Sequence, residues 1–261
     1  MPAEPGTDRD LDVLRASVDR LRSTVEHLTP EFVDRVSHAD EWTIAQVLSH
    51  LGSGAAIMRH QIDHALTGEP ADDEFAQAVW DEWNAKPALQ QSADALVADA
   101  ALIDRFDTLT DPERARFQLT LGPFQLDLAG VIRMRLNEHA VHRWDIDVTF
   151  EPTATIDPDA VPVMIDNLDI IARFGAQPAG THASFDIATV DPDRRFHLEL
   201  TGDAATLTTG QIPGSGPDLI LPAEAFIRLV YGRLDPAHTP TDVTTVTDGT
   251  LTTLRTIYPG I

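Results

Sequence analysis

Apolar residues recur at helical spacing from the start of the chain. Leu11, Leu14, Val18, Leu21, Val25 and Leu28 follow one another at intervals of three or four, which lines them along one face of a helix. Thr29-Pro30 ends the pattern, since proline lacks the amide hydrogen that a further turn needs. A second helix is predicted to open at Thr43, where Gln46 completes a capping box and Trp42 and Val47 are placed as a hydrophobic staple. Its apolar positions Ile44, Val47, Leu48, Leu51, Ala55, Met58, Ile62 and Leu66 lead to Gly68, suited to the left-handed residue after a helix. Gly52 and Gly54 lower the propensity of this helix and predict close approach by a neighbouring helix or a ligand. Helical patterns return over 74–84 and 88–109, punctuated by Pro87, with Leu96, Ile103 and Phe106 on one face.

The period then changes. Phe117, Leu119, Leu121 and Phe124, Leu126, Leu128 alternate on either side of Gly122-Pro123, the pattern of a β-hairpin, and a long helix is predicted from Ala129 to Asp147. Residues 1–152 therefore describe a helix bundle with a small hairpin, and Glu151-Pro152-Thr153-Ala154-Thr155 reads as a linker. Beyond it, Asp157-Pro158 predicts a helix start running to Gly175, by an N-cap followed by proline at the first helical position. Strands are predicted over 183–190, 195–201, 204–209 and 218–221, with a turn at Asp191-Pro192-Asp193 and another at Gly214-Ser215-Gly216-Pro217. Helices follow from Leu221-Pro222-Ala223-Glu224 to Gly232 and over 250–257. The fold class is α+β, with 153–261 forming a smaller domain around an antiparallel sheet.

Composition narrows the function. Forty-two acidic against nineteen basic residues give a formal charge of −23, with the acidic excess in both halves. Such a surface repels a nucleic-acid backbone or an anionic membrane, so neither is an expected partner. The segment Met1-Pro2-Ala3-Glu4-Pro5-Gly6-Thr7-Asp8 is acidic and has no apolar run, which predicts neither a signal peptide nor a membrane span and fits a cytoplasmic protein. Cysteine is absent, so the chain has no disulfide, no thiolate ligand and no nucleophilic thiol of its own.

One pair of motifs carries chemistry. Glu138 and His142 are four apart, so a helix places them one turn apart on one face, where a carboxylate oxygen and an imidazole nitrogen can share a cation. His50, beside the glycine-thinned stretch of the second helix, is the candidate third ligand. Two histidines and one carboxylate form the ligand set of a catalytic zinc site that keeps a coordination position open. Taken singly, each feature is more often structural, His50 as a hydrogen-bonded histidine on an apolar face and Glu138/His142 as a solvated ion pair. The context favours a site, because Arg135 and Asp145 continue the polar stripe at the end of the long helix. The order Glu138-His139-Ala140-Val141-His142 is not the protease motif H-E-x-x-H, and His139 stands about 100° around the helix from Glu138. Asn84, Arg143 and Asp145 are candidates to orient ligands or to support the fold.

The stretches Trp42-Thr43-Ile44-Ala45-Gln46-Val47-Leu48-Ser49-His50-Leu51-Gly52 and Glu138-His139-Ala140-Val141-His142-Arg143-Trp144-Asp145 resemble those of the mycothiol-dependent maleylpyruvate isomerase family, within the DinB-like metal-binding four-helix-bundle superfamily. The later segment from Asp218 to Arg233 is similar to that family's strand-then-helix ending in Gly-Arg, within a sterol-carrier-like C-terminal domain. The resemblance implies a divalent metal such as Zn²⁺ on His50, Glu138 and His142, with Arg233 receiving a substrate carboxylate. It implies mycothiol as a low-molecular-weight thiol whose thiolate attacks a small electrophile. The outcome is cis–trans isomerisation of a maleylpyruvate-type substrate or, where the adduct is kept, thiol S-transfer. Two other classes compete on sequence alone, a non-catalytic metal- or lipid-binding protein and a metal-assisted hydrolase in which the open position holds water.

Overall fold

A computed structural model describes residues 5–39, 42–68, 73–122, 124–210 and 216–260. The chain divides into two compact units, Met1–Glu151 and Pro152–Ile261. In the first unit the elements are α1 (Pro5–Val25), α2 (Pro30–Val33), α3 (Ile44–Thr67), α4 (Asp73–Asn84), α5 (Ala88–Asp107), α6 (Asp111–Arg116), β1 (Leu119–Leu121), β2 (Phe124–Leu126) and α7 (Leu128–Asp147). The apolar stripe of α1 is buried as its spacing requires, and it meets α7 and α5. Leu21, Val25, Ile44, Val47, Leu48, Leu51, Trp83, Ala95, Leu96 and Ile146 form one contiguous core across the bundle. No residue of α7 is fully exposed, and this helix packs mainly on α1 and also meets α3, which in turn packs against α4 and α5.

Local chemistry explains the boundaries that matter for the site. The side chain of Thr43 accepts from the Gln46 amide (3.2 Å) and Gln46 Oε1 accepts from the Thr43 amide (2.8 Å), the reciprocal box that opens α3. Gly68 closes that helix at φ 76°. Asp127 caps α7 by accepting from the Gly130 amide at 2.7 Å. A side chain at Gly52 would meet the Trp83 ring at 2.3 Å and the Ala95 backbone at 2.8 Å, so this glycine lets α4 and α5 close onto α3. The short helices α2 and α6 interrupt stretches without a long apolar period. Phe117 stays outside the hairpin, and Pro123 of its turn lies outside the described residues.

The second unit contains α8 (Val161–Ile165), α9 (Leu168–Gly175), β3 (His182–Val190), β4 (Arg194–Thr201), β5 (Ala205–Thr209), β6 (Leu219–Pro222), α10 (Ala223–Val230), β7 (Thr244–Thr245) and α11 (Thr250–Ile257). The single helix expected over 157–175 is instead two. Pro162 sits in the first turn of α8, and Asn167 leaves helical geometry (φ −128°, ψ 24°) while its Nδ2 donates to the Val163 carbonyl at 2.8 Å. A side-chain amide that satisfies a carbonyl ends the helix there. The sheet order is β5-β4-β3-β6-β7. The expected antiparallel sheet is mixed, because β6 runs parallel to β3 (Ile187 opposite Leu219) while the other pairings are antiparallel. Two antiparallel steps give β5 the direction of β3, and β6 begins opposite Ile187, the level at which β5 stops, so the chain crosses the sheet and continues in the same direction. Phe196, Leu198 and Leu200 alternate inward along β4 as predicted, and Phe196 meets Phe226 of α10 with ring centroids 5.2 Å apart. Of the turn expected at 214–217, Gly214 and Ser215 lie outside the described residues. No described helix is long and apolar enough to cross a membrane.

Candidate metal centre

Helices α3 and α7 bring His50 against the Glu138/His142 pair, which stands eighty-eight or more residues further along the chain. His50 Nε2 lies 2.9 Å from Glu138 Oε2, and His142 Nε2 lies 3.7 Å from the same oxygen. One ligand atom from each residue falls within 4.8 Å of the others, and the His50 and His142 rings sit 4.8 Å apart at 72°. Trp42, expected to staple Val47, turns its indole to the imidazoles, with centroids 5.4 Å from His50 and 6.4 Å from His142.

Charge within the cluster is set from both sides. Burial would raise the Glu138 carboxyl, but the hydrogen bond from His50 and the positive charges of His142, His50 and Arg135 outweigh it and hold the group at about 2. Glu138 is therefore anionic wherever a metal site would operate. His142 Nδ1 lies 2.9 Å from Oδ2 of Asp145, which is fully buried. A carboxylate on one ring nitrogen fixes the tautomer and leaves the lone pair of the other nitrogen, Nε2, facing Glu138 and His50. The backbone of Asp145 is held in turn by the His38 amide, 2.9 Å from its carbonyl.

A second polar cluster lies beside the first. Arg135 Nη2 donates to Asp99 Oδ1 at 2.6 Å and to the Leu51 carbonyl at 2.7 Å, and His139 Nε2 stands 3.1 Å from Asp99 Oδ2. Burial opposes ionisation of Asp99, yet His139 and Arg135 overcome it and push the carboxyl below its ordinary value. This network joins α3, α5 and α7 and places His139 in the interior, away from the His50 cluster. A Cβ at Gly54 would stand 3.2 Å from Arg135 Nη1, so this glycine makes room for the guanidinium. The sequence carried a sign of the network in Asp99, an acid within the otherwise apolar Ala95, Leu96, Leu102, Ile103 and Phe106 stripe of α5.

The cluster opens onto a cavity of about 460 Å³ lined by Trp42, Gln46, His50, Ser53, Trp80 and Asn84. Asn84 is thus beside the candidate ligands, whereas Arg143 pairs with Asp147 along α7 at 2.9 Å. Trp80, Gln46 and Ser53 escaped the motif reading, although the spacing 46/50/53 on α3 and 80/84 on α4 puts each set on one helix face. Arg233 belongs to the second unit. Its backbone amide donates to the Arg228 carbonyl (2.6 Å), its Nη1 donates to the Tyr231 carbonyl (2.7 Å), and only 8% of the residue is exposed. Gly232 precedes it at φ 72°, where a Cβ would collide with the Gly260 backbone at 2.3 Å.

The family model described as the mycothiol maleylpyruvate isomerase N-terminal domain matches residues 14–147, just over half of the chain, and the chain belongs to that family. Its structure is similar to a crystal structure of the mycothiol-dependent maleylpyruvate isomerase, with a TM-score of 0.66, 13% identity and 93% of each chain covered. A histidine-to-alanine mutant of the mycothiol-dependent maleylpyruvate isomerase matches with a TM-score of 0.64 and 12% identity, covering 88% of this chain and 90% of that one. At these identities the likeness establishes a shared fold. Comparison with curated protein sequences yields no match.

Proposed function

We propose that His50, Glu138 and His142 hold a divalent metal ion, with Zn²⁺ the best fit, and that the protein uses mycothiol to act on a small electrophile. The reaction is then cis–trans isomerisation of a maleylpyruvate-type acid or thiol S-transfer. The observation that carries this reading is the convergence of two imidazoles and one ionised carboxylate from α3 and α7. Their donor set is that of a three-ligand zinc site with one place for an exogenous ligand. A bound cation would favour the thiolate of an added thiol, which is its nucleophilic form.

The chain's own residues have separable tasks in this scheme. Asp145 holds the His142 ring with Nε2 towards the cluster. Glu138 supplies the negative charge that two neutral imidazoles lack. Trp42 packs its indole beside both histidines. The absence of cysteine means that the sulfur comes from the cofactor. We assign the substrate's carboxylate to Arg233, whose planar fork suits bidentate binding in a protein otherwise strongly negative. Arg233→Lys should raise the KM for a carboxylate substrate about tenfold or more while leaving zinc stoichiometry unchanged, and an unaltered KM would remove that assignment.

The deciding experiment measures bound metal by mass spectrometry and turnover of an electrophile panel with and without mycothiol. Stoichiometric zinc and thiol-dependent turnover, both lost in His50→Ala, are expected. Turnover without thiol would favour metal-assisted hydrolysis, and a protein that takes up no metal would overturn the centre.

A further inference from the structure

Two helices must meet for the three ligands to converge, and apolar packing joins them only lightly. Helix α3 packs mainly on α5 and α7 mainly on α1, whereas α3 and α7 share a smaller contact. Between them lies a buried guanidinium. Arg135 stands one turn before Glu138 on α7, and its Nη2 donates at 2.7 Å to the carbonyl of Leu51, the residue after His50 on α3. This bond ties the two helices within one turn of the ligands on each. The same nitrogen donates to Asp99 Oδ1 of α5 at 2.6 Å, which balances the charge and anchors the guanidinium from a third helix. Leu51 lies inside a helix, where side chains three and four residues on lean back over a carbonyl and screen it. Position 54 is glycine. A Cβ there would approach Arg135 Nη1 at 3.2 Å and no other described side chain of a neighbouring helix within 4 Å. Glycine weakens a helix interior, and the seat it gives Arg135 accounts for its place here.

We propose that Arg135 is a positioning residue for the metal centre: seated over Gly54 and bonded to the Leu51 carbonyl, it fixes how closely α3 approaches α7 and so the separation of His50 from the Glu138/His142 pair. The inference rests on the metal reading above and deepens it. Arg135 touches no reacting atom and is no ligand. A small ion accepts ligand distances only within about 0.2 Å, so ligands carried by two helices need a fixed spacing. A hydrogen bond with a set length and direction holds such a spacing better than apolar contact, which is not directional. Charge alone gives the opposite expectation. A guanidinium near a bound cation repels it, so removing a mere charge would raise zinc affinity, whereas removing a tether lowers it.

Competition with a chelator measures zinc affinity, and urea unfolding of the metal-free chain measures the fold. Arg135→Met should lower zinc affinity about tenfold or more. Arg135→Lys, which keeps a donor on that side chain, should recover part of the loss. Gly54→Ala crowds the guanidinium but favours the helix, so stability should be unchanged or raised while zinc affinity falls several-fold. In the Arg135→Met background the same methyl should cost nothing further. A readout free of metal comes from the imidazole nitrogen resonances of His50, which report its contact with Glu138 and should move in Gly54→Ala and Arg135→Lys. Unchanged or higher zinc affinity in Arg135→Met overturns the tether, as does an equal loss from Gly54→Ala with and without Arg135. If Arg135→Met fails to fold, Gly54→Ala decides alone, and wild-type zinc affinity in that variant overturns the tether. A wild-type chain that takes up no zinc removes the metal reading. The His50 resonances then decide the tether by themselves, and unmoved shifts overturn it.

Discussion

Helix α7 carries two polar pairs of identical spacing with opposite fates. Arg135 and His139 meet Asp99 in the interior, where their side chains are 3%, 0% and 1% exposed. Glu138 and His142, offset by three residues, meet His50 at the margin of a cavity, with side-chain exposures of 40%, 13% and 36%. In the buried cluster a carboxylate faces a guanidinium and an imidazole, so its charge is compensated by the protein itself. In the open cluster a carboxylate faces two imidazoles at the margin of a cavity, an arrangement of donor atoms that can hold a divalent cation. The four-residue spacing says only that two side chains share a helix face. Whether they form a closed brace or an open site depends on what the neighbouring helices bring.

This contrast can be broken at several points. Asp99→Ala should have the largest effect on stability, about 3–5 kcal/mol, because it leaves the Arg135 guanidinium buried without its carboxylate. Urea unfolding would measure it, and a loss under about 1 kcal/mol would show that water or another carboxylate takes over. His139→Ala should also lower stability yet retain zinc, whereas His50→Ala should lose zinc. Equal zinc loss in the two would erase the distinction between brace and site.

Asp145→Asn should act between these extremes. It keeps an acceptor for His142 Nδ1 but removes the charge, so zinc affinity should fall about 10–100-fold. Competition with a chromophoric chelator would read this directly, and an unchanged affinity would mean that Asp145 serves only packing.

The smallest effect is that of acid on Glu138. Its folded value of about 2 lies below the ordinary 4.5, so its stabilising contribution is complete above the ordinary carboxylate range and is lost as pH falls towards about 2. At pH 4 Glu138 should therefore still be ionised. Titration of its carboxyl resonance by NMR reads this directly, and a midpoint at the ordinary 4.5 would overturn it.

Much of this was legible in the residues themselves. The stripe from Leu11 to Val25, the Thr43/Gln46 box and Gly68 at the end of α3 depend on local periodicity and capping, and the structure places these elements as predicted. The one-turn relation of Glu138 and His142 is equally local. Elsewhere local signals competed and the outcome was not readable in advance. Asp157-Pro158 looked like a helix start, but Pro162 and the Asn167 side chain divide that segment. The parallel seating of β6 beside β3 depends on which edge of the sheet was free, and neither strand's alternation encodes that.

The sequence alone determined where α3 starts and stops, which side chains of α1, α3 and α7 share a face, and that the chain brings no thiol of its own, because these follow from short-range sterics and composition. Only the tertiary structure decided that His50, eighty-eight residues away, meets Glu138, and that Gly52 admits Trp83 while Gly54 admits Arg135. It also decided that Trp80 faces a cavity when its neighbour Trp83 is buried. Those outcomes depend on how closely helices approach and which charges are desolvated between them, and such quantities exist only once the elements have packed.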